Sequence, residues 1–186
     1  NTPWELREYV TELAGEAATY MRPSFWPTTH DILTPYMQFG GRAAWVVRAV
    51  LAATLVPTYG IYAGYELMEH VARPGAEEQI DNEKYEYKDR RWADYEVGGP
   101  KEGQSLAGLL TQINTIRANH GALHWLRNIT FHSADDENIL VFSKRRVYAD
   151  DNPATFLHVT RSPEDAGQGS AADPAELAAA SRRAAE

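Results

Sequence analysis

The chain has 186 residues, 44% of them apolar, a formal net charge of -8 and no cysteine. That length suffices for one cored domain or a piece of a larger one. The acidic balance argues against nucleic-acid or anionic-membrane partners, and without cysteine there are neither disulfides nor thiolate metal sites.

No basic leader followed by an apolar run opens the chain, so no signal peptide is read at Asn1 to Leu6. Thr2-Pro3-Trp4-Glu5 reads instead as a capping box, with Thr2 as N-cap, Pro3 at the first helical position and Glu5 reaching back. A sequence that opens on a helix cap reads as a fragment of a larger protein. The first helix is expected over Pro3 to Ala17, with Leu6, Tyr9, Val10, Leu13 and Ala17 on one face. A short strand follows near Ser24 to Pro27, bounded by prolines that cannot donate to a ladder. A loop carrying His30-Asp31 leads through Gly40-Gly41 to a second helix, Ala43 to Leu55, apolar on most sides and so expected between layers. The apolar stretch Ala43 to Val56 is interrupted by Arg48 and is shorter than the roughly 20 residues a bilayer span needs. No membrane segment is expected, and a cytoplasmic location is the default.

Val56 to Gly64, β-branched and aromatic but broken by glycines, reads as a short buried strand. Glu66 to Pro100 is polar, irregular and aromatic-rich, the character of an ordered functional loop. A third helix is expected from Leu106 to Asn119, with Ser105 as cap. Ile129 to Phe131 and Ile139 to Phe142 read as a β-hairpin with a polar turn, Ser133 to Asn138. From Ala149 onward Ala, Asp, Ser, Gly and Pro dominate; Phe156, Leu157 and Val159 form the clear apolar group, and Pro163 to Glu186 reads as disordered or weakly helical. Alternating helices and strands are the signature of an α/β unit with a parallel sheet, in which chemistry sits past the C-terminal strand ends.

Five groups invite a chemical reading, each beside a plainer one. Asp31, past a strand end, can stabilise a cationic transition state, or simply begin a turn. Glu66, Glu69 and His70 form a cluster if helical, or a solvated helix end. His120 and His124 have helical metal-ligand spacing, but Gly121 intervenes and a helix stop is the simpler reading. Lys144-Arg145-Arg146 is a short basic run read as the solvated end of a strand. Asn82-Glu83-Lys84-Tyr85 joins a cation, a carboxylate and a phenol able to hold sugar hydroxyls or a phosphate, although charged loops are common.

Several collinear segments carry a resemblance. They are Asn1 to Leu6, Arg22-Pro23-Ser24-Phe25, His30-Asp31-Ile32-Leu33, Gly40 to Leu55, Pro57 to Leu67 (PTYGIYAGYEL) and Asp81-Asn82-Glu83-Lys84-Tyr85. They resemble the α-1,4-glucan:maltose-1-phosphate maltosyltransferases, a branch of glycoside hydrolase family 13 in the α-amylase superfamily, over about Asn1 to Val147. The resemblance implies the C-terminal part of a (β/α)8 TIM barrel, residues 1–125, with Ser24 to Pro27 as the seventh strand, Thr58 to Tyr62 in the eighth and Leu106 to Asn119 as the last barrel helix. Residues 126–148 would start an all-β sandwich domain, and residues 149–186 would be a low-complexity tail produced by a premature or altered reading end. It further implies transfer of maltose from α-maltose 1-phosphate to the non-reducing end of an α-1,4-glucan, with retention, through an Asp nucleophile and a Glu acid/base. Asp31 matches the third carboxylate, which stabilises the transition state; Lys84 and Tyr85 match a pair that binds the donor sugar. His30 stands where this branch usually carries proline, as in ordinary amylases, and is itself a candidate sugar contact. Neither the nucleophile nor the acid/base segment is present, so the chain alone is expected to be inactive. No cofactor or metal is implied, and the complete enzyme is expected to be a homodimer. An amylase-type hydrolase fragment and a non-catalytic carbohydrate-binding remnant are the alternatives.

Overall fold

The computed structural model describes residues 2–81 and 87–146, and the backbone of 158–160. The capping box forms as expected: Glu5 N–H donates to Thr2 Oγ1 at 3.2 Å, and Thr2 N–H to the Glu5 carboxylate at 2.8 Å. The helix it opens, α1 (Pro3–Ala14), is shorter than its apolar periodicity suggested. Gly15 stops it, and Glu16–Thr19 continues as a 3-10 turn that still buries Ala17. Strand β1 (Ser24–Phe25) ends before Pro27 and pairs in parallel with β2 (Thr58–Tyr59), Ser24 opposite Thr58 and Phe25 opposite Tyr59. The ladder stops at Gly60, whose N–H donates to Phe25 O. A Cβ there would lie 2.3 Å from the Trp26 ring, so only glycine lets the two chains come this close.

Between these strands run α2 (Pro35–Phe39) and α3 (Gly41–Leu55). Helix α2 falls where a loop was expected; Thr34 and Pro35 start it in the ordinary way, with proline at the first helical position. Helix α3 carries two apolar stripes. Trp45, Ala49 and Ala53 face one core, and Leu51 and Leu55 face a second. Offset by two residues at about 100° each, the stripes lie on nearly opposite sides of the helix. That is why it is apolar all round. No described helix is long and apolar enough to cross a membrane.

The first core joins α2, α3 and α4 (Ala107–Asn119) through Leu33, Met37, Trp45, Tyr65, Leu106 and Ile113. The N-cap of α4 is Leu106 and not the expected Ser105; Ser105, one residue earlier, accepts from Ala107 N–H through Oγ at 3.0 Å and donates to Glu66 O at 3.1 Å. The second core joins α1 and α3 to an antiparallel sheet of β3 (Ile129–His132), β4 (Leu140–Lys144) and β5 (His158–Thr160). The hairpin forms where it was expected, but its second strand runs on to Lys144 instead of ending at Phe142. Strand β5 is an addition to it, with Val159 opposite Val141, and it arises in the one apolar group past Ala149. The architecture is therefore a mixed helix/strand unit in which a parallel pair and an antiparallel sheet flank a central helix.

The basic run at the end of β4 departs from its expected reading. Lys144 is not solvated but fully buried, its Nζ donating to Leu55 O at 3.3 Å. Strand alternation turns its side chain to the same side as Phe142 and Leu140, both core residues. Burial, reinforced by the charge of Arg117, pulls its pKa down to about 7.

Candidate active site

Asp31 lies in the loop that leaves β1. Its side chain is 65% exposed and that of His30 49%, and His30 Nε2 lies 2.9 Å from Asp31 Oδ2. The backbone beneath them is held on two sides. Within the loop, Thr29 N–H donates to Ile32 O at 3.1 Å; from outside, Gln79 N–H donates to His30 O at 3.0 Å, and Leu33 N–H to Glu77 O at 2.6 Å. Leu33 and Thr28 are buried on either side. An exposed carboxylate on a pinned loop offers fixed hydrogen-bond acceptors and a negative charge without further reorganisation. It does not cap the next helix, which begins with Pro35, four residues later.

The loop leaving β2 meets this one. The His30 and Tyr62 rings are 6.1 Å apart and tilted by 43°, so the chain segments past the C-terminal ends of both parallel strands converge, the place where α/β sheets keep their chemistry. Beyond Tyr62 the chain turns sharply at Gly64, with φ 96°, into a 3-10 turn, Tyr65–Leu67. Tyr65 is buried and its hydroxyl donates to Trp45 O; burial raises its pKa well above the usual phenol range. Tyr65 is thus core packing, and Tyr59 lies beneath Arg117 with 4.9 Å between guanidinium and ring centroid. Tyr87 is almost fully exposed.

Glu69 is only 19% exposed and is the hub of an ion-pair network. Arg90 meets it in a fork, Nε and Nη2 each 3.1 Å from a carboxylate oxygen, and also donates to Ala63 O at 2.9 Å. Lys88 reaches Glu69 at 3.3 Å and Asp81 at 2.7 Å. Desolvation lowers the Lys88 pKa, but the Asp81 and Glu69 carboxylates outweigh it and leave the pKa raised. The sequence reading grouped Glu69 with Glu66 and His70. The structure separates them: Glu66 accepts from Gly64 N–H at 3.2 Å, and His70 Nδ1 lies 3.0 Å from Met68 O. The partner of Glu69 lies 21 residues away in an irregular loop, where no periodic spacing signals it. Lys84 and Tyr85, the other predicted substrate contacts, lie outside the described residues, between Asp81 and Lys88. His124 Nε2 lies 2.6 Å from Arg117 O, and among the described residues no cluster of three or more ligating side chains could hold a metal.

No family model matches the chain. Curated proteins do. It is 54% identical over 146 residues to α-1,4-glucan:maltose-1-phosphate maltosyltransferase 2 of Streptomyces coelicolor, covering 78% of this chain and 21% of that one. It is 53% identical over 147 residues to maltosyltransferase 1 of the same organism. With the maltosyltransferase of Arcanobacterium haemolyticum the identity is 54% over 144 residues, 77% of this chain and 20% of the relative. The chain is homologous to a segment of these maltosyltransferases. It spans about a fifth of their length.

Proposed function

We propose that these residues form part of an enzyme that transfers maltose from α-maltose 1-phosphate to the non-reducing end of an α-1,4-glucan, releasing phosphate and retaining the anomeric configuration. The identity to curated maltosyltransferases carries this reading. In it, Asp31 accepts hydrogen bonds from hydroxyls of the reacting sugar and stabilises the oxocarbenium-like transition state. His30, fixed against Asp31, contacts the same sugar, and Lys84 and Tyr85 hold the donor. The Asp nucleophile and Glu acid/base belong to sequence outside these residues, so the chain alone does not form the covalent intermediate. We further propose that residues 1–125 are the last part of a (β/α)8 barrel, with β1 and β2 as its seventh and eighth strands, that residues 126–148 begin a β-sandwich domain and that residues 149–186 form a low-complexity tail from which β5 joins the sheet of that domain. The complete enzyme is a homodimer. Its charged sugar phosphate donor is membrane-impermeant, which puts the reaction in the cytoplasm.

The test is phosphate release from α-maltose 1-phosphate with a glucan acceptor, first with the purified chain and then with the unmatched part of a maltosyltransferase supplied as a second polypeptide. The expected result is release only on complementation, reduced at least about 1,000-fold by Asp31→Ala. Release by the chain alone overturns the assignment of the missing carboxylates. One residue, His30, favours an amylase-type hydrolase; glucan cleavage without any phosphate release from the donor would establish that reading instead.

A further inference from the structure

From the Glu69 network we infer that Glu69 is a positioning residue, holding the chain on both sides of residues 82–86 against the loop that follows β2. The inference rests on the donor-binding role proposed above for Lys84 and Tyr85. Asp81 precedes that stretch and Lys88 and Arg90 follow it; all three are joined directly or through one partner to Glu69. The Lys88–Asp81 contact at 2.7 Å closes the stretch at its base. The Arg90 fork adds geometry as well as charge, because two parallel N–H···O bonds fix the guanidinium plane. Arg90 also grips Ala63 O, in the same turn that brings Tyr62 to His30.

Two details make Glu69 the centre of this arrangement. Glu69 N–H donates to Gly64 O at 3.3 Å, so its own backbone is tied to that turn. Its carboxylate also lies directly over Gly64: a Cβ there would come 2.1 Å from Glu69 Oε2 and 2.9 Å from Arg90 Nε. With φ at 96°, Gly64 is a position where a side chain is both strained and displacing. On its other arm, residues 77–79 are bonded to Leu33 and His30. Residues 77–81 are therefore anchored beside Asp31, and Asp81 on one side of 82–86 and Lys88 and Arg90 on the other are tied to Glu69. In the reading proposed above, a change at Glu69 reaches the donor site through these flanks.

Hydrogen exchange of the full chain, read by mass spectrometry, tests the anchoring. Glu69→Gln is expected to raise exchange about tenfold or more in residues 63–69 and 87–92 together, leaving α3 and α4 unchanged. Unchanged exchange in 87–92 overturns the inference. If Glu69→Gln raises exchange everywhere, Arg90→Lys decides, since it keeps the charge and removes the fork: a local rise supports the role and none overturns it. The functional half is read in the complemented enzyme, where Glu69→Gln should raise the KM for α-maltose 1-phosphate about tenfold with the acceptor KM and kcat nearly unchanged. An unchanged donor KM overturns it. Lys84→Ala separates the two readings: if Lys84→Ala leaves donor KM unaltered, the donor-binding assignment falls, while the exchange result still decides the anchoring.

Discussion

Among the cations withdrawn from solvent, two pairs are stabilised in opposite ways. Lys88 and Arg90 share Glu69, and Lys88 has Asp81 besides. Arg117 and Lys144 meet no carboxylate among the described residues. Arg117 donates to Ala53 O and Pro57 O, and Lys144 to Leu55 O, all at the C-terminal end of α3. Helix C-terminal carbonyls lack intrahelical partners and carry partial negative charge, so they suit a cation. They do not replace a full counter-charge. Burial lowers the pKa of Arg117, which its delocalised charge tolerates, and lowers that of Lys144 to about 7. The carboxylate network keeps its lysine charged next to the candidate site, whereas the carbonyl seam fastens α3 to α4 and β4 at the expense of a poorly compensated lysine.

The largest effect is expected from Arg117→Ala. It removes bonds to two carbonyls and the contact with Tyr59, and leaves those carbonyls in a seam shielded from water. A loss of about 3 kcal/mol in urea unfolding is expected; a loss below about 1 kcal/mol would mean the seam is not held by Arg117. The opposite sign is expected for Lys144→Met at neutral and lower pH. Below pH 7 Lys144 is protonated in both folded and unfolded chains, and the full cost of the buried charge is present. Between about 7 and the ordinary lysine value of 10.5 the unfolded chain binds more protons, so stability rises with pH. Lys144→Met, similar in length and uncharged, should therefore stabilise by about 2 kcal/mol at pH 6 and by progressively less toward pH 10. The difference between the two chains isolates Lys144 from the tyrosines. Tyr36 and Tyr59, whose pKa values are raised by burial, act above pH 10 and act equally in both chains. A difference that stays flat from pH 6 to 10 would show that Lys144 titrates normally.

This contrast also marks how far the sequence could be read. The capping box at Thr2, the all-round apolar α3, the α4 boundary near Ser105 and the Ile129–His132 hairpin strand were legible because each rests on neighbours within four residues or on strict alternation. The place of Asp31 in a loop past a strand end was legible from the prolines that bound the strand. Helix α2 was missed because five residues carry too little periodicity to separate a turn of helix from a loop. Lys144 was misread because a basic triplet looks solvated, although β4 alternation puts its first member on the core side. Glu69 was misread for a different reason: its meaning lies in Arg90 and in Gly64, one distant in sequence and the other informative only once its positive φ and close approach are known.

The smallest effect belongs to the outer member of the carboxylate network. Asp81 is 41% exposed and Lys88 31%, so their contact at 2.7 Å is screened by water and salt in a way the Arg90 fork is not. Asp81→Asn should cost less than about 0.5 kcal/mol in urea unfolding at low salt, and less still at about 1 M salt. The Lys88 contact with Glu69, 3.3 Å in the unaltered chain, does not involve Asp81, and the Lys88 pKa should fall toward the ordinary lysine value because one of the two charges that offset desolvation is gone. A cost above about 1 kcal/mol, unmoved by salt, would mean that the Asp81–Lys88 pair works as a buried bond. The two cation pairs would then differ in their partners alone and not in their exposure to solvent.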